Sequence, residues 1–260
     1  MEYKPVSLHY VEYGKGQPVV LLHGFPFEHT TWEPVAQALQ PYARLILPDL
    51  RGFGASPVTE GVYAMRLLAE DVVHLLDQLQ IERAIVVRHS MGGYVSLAFA
   101  RAYPNRLAGL GLVATRATDD NPEYRSQRYQ TAKQVQQKGL RVIADHMPQK
   151  LTNDPQLAAS LREMILKANP QGIIGAQKGM AERPDSTPFL AEIRVPAVVV
   201  AGGRDPYVSL EYARTMTQLL GRAWLVELPE NGHMLMVEKP QETAEALYQL
   251  IQAAQGFHAQ

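Results

Sequence analysis

Short, nearly unbroken runs of Val, Ile and Leu recur along this chain, and between them lie helix-length segments with one apolar face. Val19–Leu22, Leu45–Leu47, Ala84–Val87, Leu107–Val113 and Val195–Ala201 are continuous enough to be strands covered on both faces, and Leu225–Leu228 is a further one. Leu8–Tyr13 alternates instead and suits an antiparallel edge strand. Thr30 or Thr31 is placed to cap a helix containing Trp32, Val35 and Leu39. Leu68, Val72, Leu75, Leu76 and Leu79 form a stripe at helical spacing. Met91–Tyr103 (stopped by Pro104), Leu210–Leu220 and Pro240–Ala253 complete the helices. This alternation implies βαβ units, hence an α/β fold with a mostly parallel, doubly wound sheet of about seven or eight strands. Such sheets bind ligands beyond the carboxyl ends of their strands, so the residues just after each strand are the ones to inspect.

The alternation stops between Arg116 and Asp185, a stretch rich in Gln, Arg, Met and Ala whose helical patterns are separated at Pro148, Pro155 and Pro170. At ~70 residues it is too long for a plain loop and reads as a helical cap over the strand ends. The expected organisation is a core built from residues 1–115 and 189–260, interrupted by a cap at 116–188.

Composition narrows the function classes. The net charge is −1 with both signs interspersed, which leaves no footprint for nucleic acid or an anionic membrane. With no cysteine, disulfides, thiolate catalysis and cysteine metal sites are excluded. Met1–Tyr10 has no basic stretch leading into an apolar one, so no secretory signal is expected. No apolar run approaches the ~18 residues of a membrane span, which makes the cytoplasm the default location. Oligomeric state is left open.

Four strand ends carry chemistry. Val87-Arg88-His89-Ser90-Met91-Gly92-Gly93 runs from a strand straight into a helix. A serine at such a turn is exposed above the sheet, and the Met91 N–H sits at the helix N-terminus, where positive partial charge collects. His23-Gly24-Phe25-Pro26 also follows a strand and offers the Phe25 N–H as a second donor to an oxyanion. Gly203-Arg204-Asp205-Pro206 supplies a carboxylate, and Glu230-Asn231-Gly232-His233-Met234 a histidine. The order Ser90, Asp205, His233, each just beyond a strand end, is the order expected of a nucleophile, an orienting acid and a general base on such a sheet. Arg88 breaks the usual G-x-S-x-G spelling at its first glycine. It is expected either to press on its neighbours and disturb the oxyanion hole or to contact an anion in the pocket, as a natural or an introduced change. His89 and Met234, beside the catalytic residues, join Phe25 as candidate substrate contacts.

Other signals are weaker. Gly109-Leu110-Gly111-Leu112-Val113-Ala114 fits the letters of a dinucleotide fingerprint but lies inside a strand. His9, His29, His74, His146 and His258 lack metal-ligand spacing, and no metal is expected.

With Asp49-Leu50-Arg51-Gly52-Phe53-Gly54-Ala55-Ser56 added to these segments, nearly the whole chain resembles the α/β-hydrolase superfamily, most of all its small capped bacterial esterases, enol-lactonases and perhydrolases. The resemblance implies a serine hydrolase without cofactors that cleaves small, rather apolar carboxylic esters or lactones through an acyl-enzyme. Perhydrolysis or C–C bond hydrolysis by the same triad is the alternative chemistry, and a ligand-binding scaffold disabled by Arg88 the alternative class.

Overall fold

The computed structural model describes residues 4–258. Met1–Tyr3 of the N-terminal reading and the side chain of His258 lie outside the described residues. Seven strands form one sheet: β1 (Tyr10–Tyr13), β2 (Pro18–Leu22), β3 (Arg44–Pro48), β4 (Ala84–His89), β5 (Leu107–Val113), β6 (Ala197–Gly202) and β7 (Ala223–Leu228). Their spatial order is β1-β3-β2-β4-β5-β6-β7, with β1 antiparallel to β3 and every other pairing parallel. The continuous apolar runs become β2 to β6, and β4, β5 and β6 are buried at every position.

The helices of the sheet are α1 (Glu33–Leu39), α2 (Met65–Gln78) and α3 (Met91–Ala102), which precede the central insertion. The insertion, between β5 and β6, contains α4 (Pro122–Lys138), α5 (Arg141–Ala144), α6 (Pro148–Leu151), α7 (Pro155–Lys167) and α8 (Pro170–Ala181). After it come α9 (Leu210–Leu219), α10 (Leu235–Glu238) and α11 (Pro240–His258). The crossover through α1 steps one way along the sheet and those through α2, α3 and α9 the other. Right-handed connections therefore place α1 opposite α2, α3 and α9, and α11 packs against α1.

Two local readings give way to the structure. The Thr30/Thr31 cap does not form, because Thr31 Oγ1 donates to the Glu28 carbonyl and His29–Trp32 makes a 3-10 turn before α1. In the insertion, prolines open helices as well as separating them: Pro122, Pro155 and Pro170 each sit in a first turn capped by the preceding Asn121, Asp154 or Asn169 side chain. The glycines of the fingerprint-like run lie in β5, where a Cβ on Gly111 would reach within 3.2 Å of Leu247 in α11. They are there for close packing.

Candidate active site

Ser90 occupies the single residue between β4 and α3, with φ 49° and ψ −113°. A side chain at positive φ is strained, at a cost of about 1–3 kcal/mol, so surrounding contacts must hold it. They are visible: the Ser90 N–H donates to the Val113 carbonyl at 3.1 Å, and its carbonyl accepts from Thr115 Oγ1 at 2.8 Å and from the Gly93 N–H at 2.8 Å. The turn tolerates no bulk. A Cβ on Gly92 would lie 2.8 Å from the His23 carbonyl, one on Gly93 would collide with Thr115, and one on Gly24 would collide with the His89 imidazole.

Asp205 and His233 come from the loops after β6 and β7. Asp205 Oδ2 lies 2.7 Å from His233 Nδ1, and its Oδ1 accepts from the Tyr207 and Val208 N–H groups at 2.8 and 3.1 Å. With both oxygens engaged, the carboxylate is fixed and holds the Nδ1–H tautomer, which leaves His233 Nε2 free to take a proton. The His233 N–H is anchored on the Leu151 carbonyl of α6 at 3.1 Å. Ser90, His233, Phe25 and Tyr207 line one cavity of about 330 Å³, together with side chains of the insertion. Among the described residues, neither the Phe25 nor the Met91 N–H has an acceptor in the turn and loop hydrogen bonds.

The remaining sequence candidates fall elsewhere. His89 is buried beneath the site: its Nε2–H donates to the His233 carbonyl at 2.9 Å and its ring packs 4.7 Å from the His233 ring. Met234 is fully buried and contributes nothing to the cavity lining. Of the expected substrate contacts, only Phe25 reaches the cavity.

Arg88 is also fully buried and absent from the lining, so it meets no anion there. It pairs with Leu22 and Leu112 in the middle of the sheet. Val87, its neighbour, faces α11, so Arg88 faces α2 and α3. None of its three guanidinium nitrogens finds a hydrogen-bond partner among the described residues. Burial pushes its pKa well below the ordinary arginine value, against the strong tendency of a guanidinium to keep its proton in proteins.

His23 acts as a tie between loops. Its Nδ1–H donates to the Gly24 carbonyl at 3.0 Å and its Nε2 accepts from the Leu50 N–H at 2.9 Å. Burial is the main cause of a pKa lowered to about 4, so the ring is neutral. His9 and His29, unrelated in sequence spacing, meet on Asp49 with Nδ1 to oxygen distances of 2.9 and 2.8 Å. The same carboxylate accepts from the His29 and Ala55 N–H groups. Burial raises its pKa, but the His29 contacts and the Ala55 N–H outweigh this and hold it well below the usual carboxylate range. Asp49 is thus saturated as a hub for the loops around the site.

Sequence reading missed Arg116, Arg128, Lys150 and Tyr207, all of which line the cavity. Tyr207 had a signal, since it follows the Asp205-Pro206 turn. The three cations had none, because they stand on unrelated elements and only the fold of the insertion brings them together.

This fold defines the class: the chain belongs to the α/β-hydrolase fold family, whose model it matches over residues 17–240. It is 37% identical to the solved structure of a thermophilic esterase from Thermogutta terrifontis with malate bound, at a TM-score of 0.92 over 95% of this chain and 93% of that one. It is 27% identical to 3-oxoadipate enol-lactonase 2 of Acinetobacter baylyi over 91% of this chain and 90% of that protein. A further relative, 31% identical over 87% of this chain, is the dihydrolipoyllysine-residue acetyltransferase component of the acetoin cleaving system of Pseudomonas putida, of which the chain spans 61%. Among the described residues no helix is long and apolar enough to cross a membrane.

Proposed function

We propose that the chain is a serine hydrolase of small carboxylic esters or lactones, working through an acyl-enzyme. The observation that carries this reading is the convergence of three strand ends. Ser90 and His233 share one cavity, and His233 Nδ1 is held 2.7 Å from Asp205.

In this scheme Ser90 Oγ attacks the ester carbonyl as His233 Nε2 takes its proton. The carbonyl π pair moves to oxygen, where the Phe25 and Met91 N–H groups receive it. Collapse breaks the bond to the leaving alcohol, which takes the proton from His233. A water, deprotonated by the same nitrogen, then releases the acid and restores Ser90. Asp205 keeps the imidazole oriented and stabilises its charged form. Residues 116–188 act as a cap on a core formed by residues 1–115 and 189–260. Support comes from the esterase and enol-lactonase relatives, which cover nearly the same length.

A second reading, a hydrolase scaffold weakened at its elbow, has one specific observation in its favour: the unpartnered Arg88 guanidinium next to His89 and Ser90. Initial rates on 4-nitrophenyl acetate and butyrate separate the two readings, with the chain, Ser90→Ala and Arg88→Gly run together. Activity lost only in Ser90→Ala establishes the hydrolase. Activity that arises only in Arg88→Gly establishes the weakened scaffold. Ester hydrolysis that survives in Ser90→Ala sinks the assignment of the nucleophile.

A further inference from the structure

Part of the cavity lining is apolar, with Phe25, Val142, Ile143 and Met147, as an apolar ester requires. The rest is not. Arg116, Arg128 and Lys150 belong to it, and among the described residues no Asp or Glu does.

Asp120 is the carboxylate that stands behind Arg116 and Arg128, with no exposure of its own side chain. It faces three guanidiniums at once. Arg116 Nη2 lies 2.6 Å from Oδ1, Arg128 Nε bonds Oδ2, and Arg183 reaches it from the far side at 2.9 Å. Burial raises the Asp120 pKa, but the hydrogen bonds from Arg183 and Arg128 and their charges overcome this and hold it well below the usual carboxylate range. The carboxylate is therefore fully ionised and still balances one of three positive charges. The neighbouring Asp119 is committed to Arg125 on the exposed surface, at 3.7 Å.

A purely structural staple would match its charges, because an uncompensated buried cation is costly. Here the excess sits where it can be neutralised from the cavity. Arg116 and Arg128 keep 11% and 21% of their side chains exposed, whereas Arg183 keeps 2%. Guanidinium groups present a planar fork that suits a carboxylate.

From this charge imbalance, and resting on the ester or lactone hydrolase reading above, we infer that the substrate carries a free carboxylate besides its scissile bond. That carboxylate seats on Arg116 and Arg128, with Lys150 at the exposed rim, while the ester carbonyl meets Ser90. A half-ester of a dicarboxylic acid or a lactone acid has this chemistry, and a cavity of about 330 Å³ lies at the small end of ligand sites.

The test has a kinetic arm and a binding arm. Monomethyl adipate and methyl hexanoate differ chiefly in one terminal carboxylate, and their hydrolysis is followed by proton release. The expected kcat/KM ratio favours the half-ester by about tenfold or more, as a charge-assisted pair of hydrogen bonds would give. That ratio drops about tenfold in Arg128→Gln, through KM, and falls in Lys150→Gln, whose exposed side chain puts folding at no risk. In the binding arm, calorimetry on Ser90→Ala reads glutarate binding without any turnover. Glutarate should bind, and bind more weakly in Ser90→Ala/Lys150→Gln and at 0.5 M NaCl. No half-ester preference together with no glutarate binding overturns the inference, as does a preference that both charge variants leave intact. Charge-dependent glutarate binding in a protein that hydrolyses neither ester supports the anion site and removes the hydrolase reading instead.

Discussion

Arg88 is a charge in the wrong solvent. It stands on a central strand between Leu22 and Leu112, with no acceptor among the described residues and no exposed surface. A buried, unpaired ion costs several kcal/mol even after local relaxation, so replacing it with an apolar side chain of similar length should stabilise the fold. Arg88→Met is expected to gain about 2 kcal/mol, or about 4–8 °C in Tm for a chain of this size. An unchanged or lower Tm would mean that the guanidinium finds a partner in solution. His89 makes the opposite case, a buried polar residue with a task. Its Nε2–H fixes the His233 carbonyl, so His89→Leu should lower kcat about tenfold with KM nearly constant, and His89→Gln, which retains a donor, should recover part of it. A fall in Tm with kcat unchanged would reduce His89 to a packing role.

Between the elements, the insertion does more than line the cavity. The end of α6 holds the His233 loop through the Leu151 carbonyl, and Gly232 gives that carbonyl room, since a Cβ there would lie 2.9 Å from it. Gly232→Ala should therefore push the loop off α6. A displacement of ~1 Å at a catalytic group can cost ~100-fold in rate, so kcat should fall steeply while thermal stability changes little. Full activity in that variant would show that α6 does not set the loop. The elements themselves were legible to different depths. β4, β5 and β6 announce themselves because strands buried on both faces must be apolar throughout, and the triad candidates could be read because they follow strand ends. The Thr30/Thr31 cap was misread because a hydroxyl beside a turn can bond backward, as Thr31 does to Glu28. Helix α4 buries only Ala132 and Val135, so its sequence signals a helix without signalling a partner. It packs on α8, whose Gly172, Gly175 and Gly179 come close to Gly52 and Tyr63. That approach depends on tertiary fit, which is why the presence of Arg116, Arg128 and Lys150 in one cavity lining could not be foreseen from spacing.

For the molecule as a whole, the buried histidines set how stability answers to acid. Burial lowers the His23 pKa to about 4, and burial, reinforced by the charge of His233, also moves His89 well below the ordinary value. In an unfolded chain histidine titrates near 6.5. Between about pH 6.5 and 4 the unfolded chain therefore holds protons that the folded one refuses, and stability must fall as pH falls through that window. For His23 alone the full loss is about 3 kcal/mol, at a slope approaching ~1.4 kcal/mol per pH unit, and His89 adds to it. Asp49 and Asp120 act in a lower window: their depressed pKa values mean that stability is lost only as pH falls below the ordinary carboxylate range. Acid unfolding should thus proceed in two stages, histidines first and the two carboxylate hubs after them. Calorimetric unfolding at pH 5 in buffers of different ionisation enthalpy counts the protons directly. Uptake of one to two protons beyond those of the carboxylates is expected, since burial, together with the Leu50 N–H donated to Nε2, holds His23 neutral until the fold opens. Zero uptake would mean that both rings are already protonated in the folded protein, and the tie between the His23 and Asp49 loops would then have to be drawn differently.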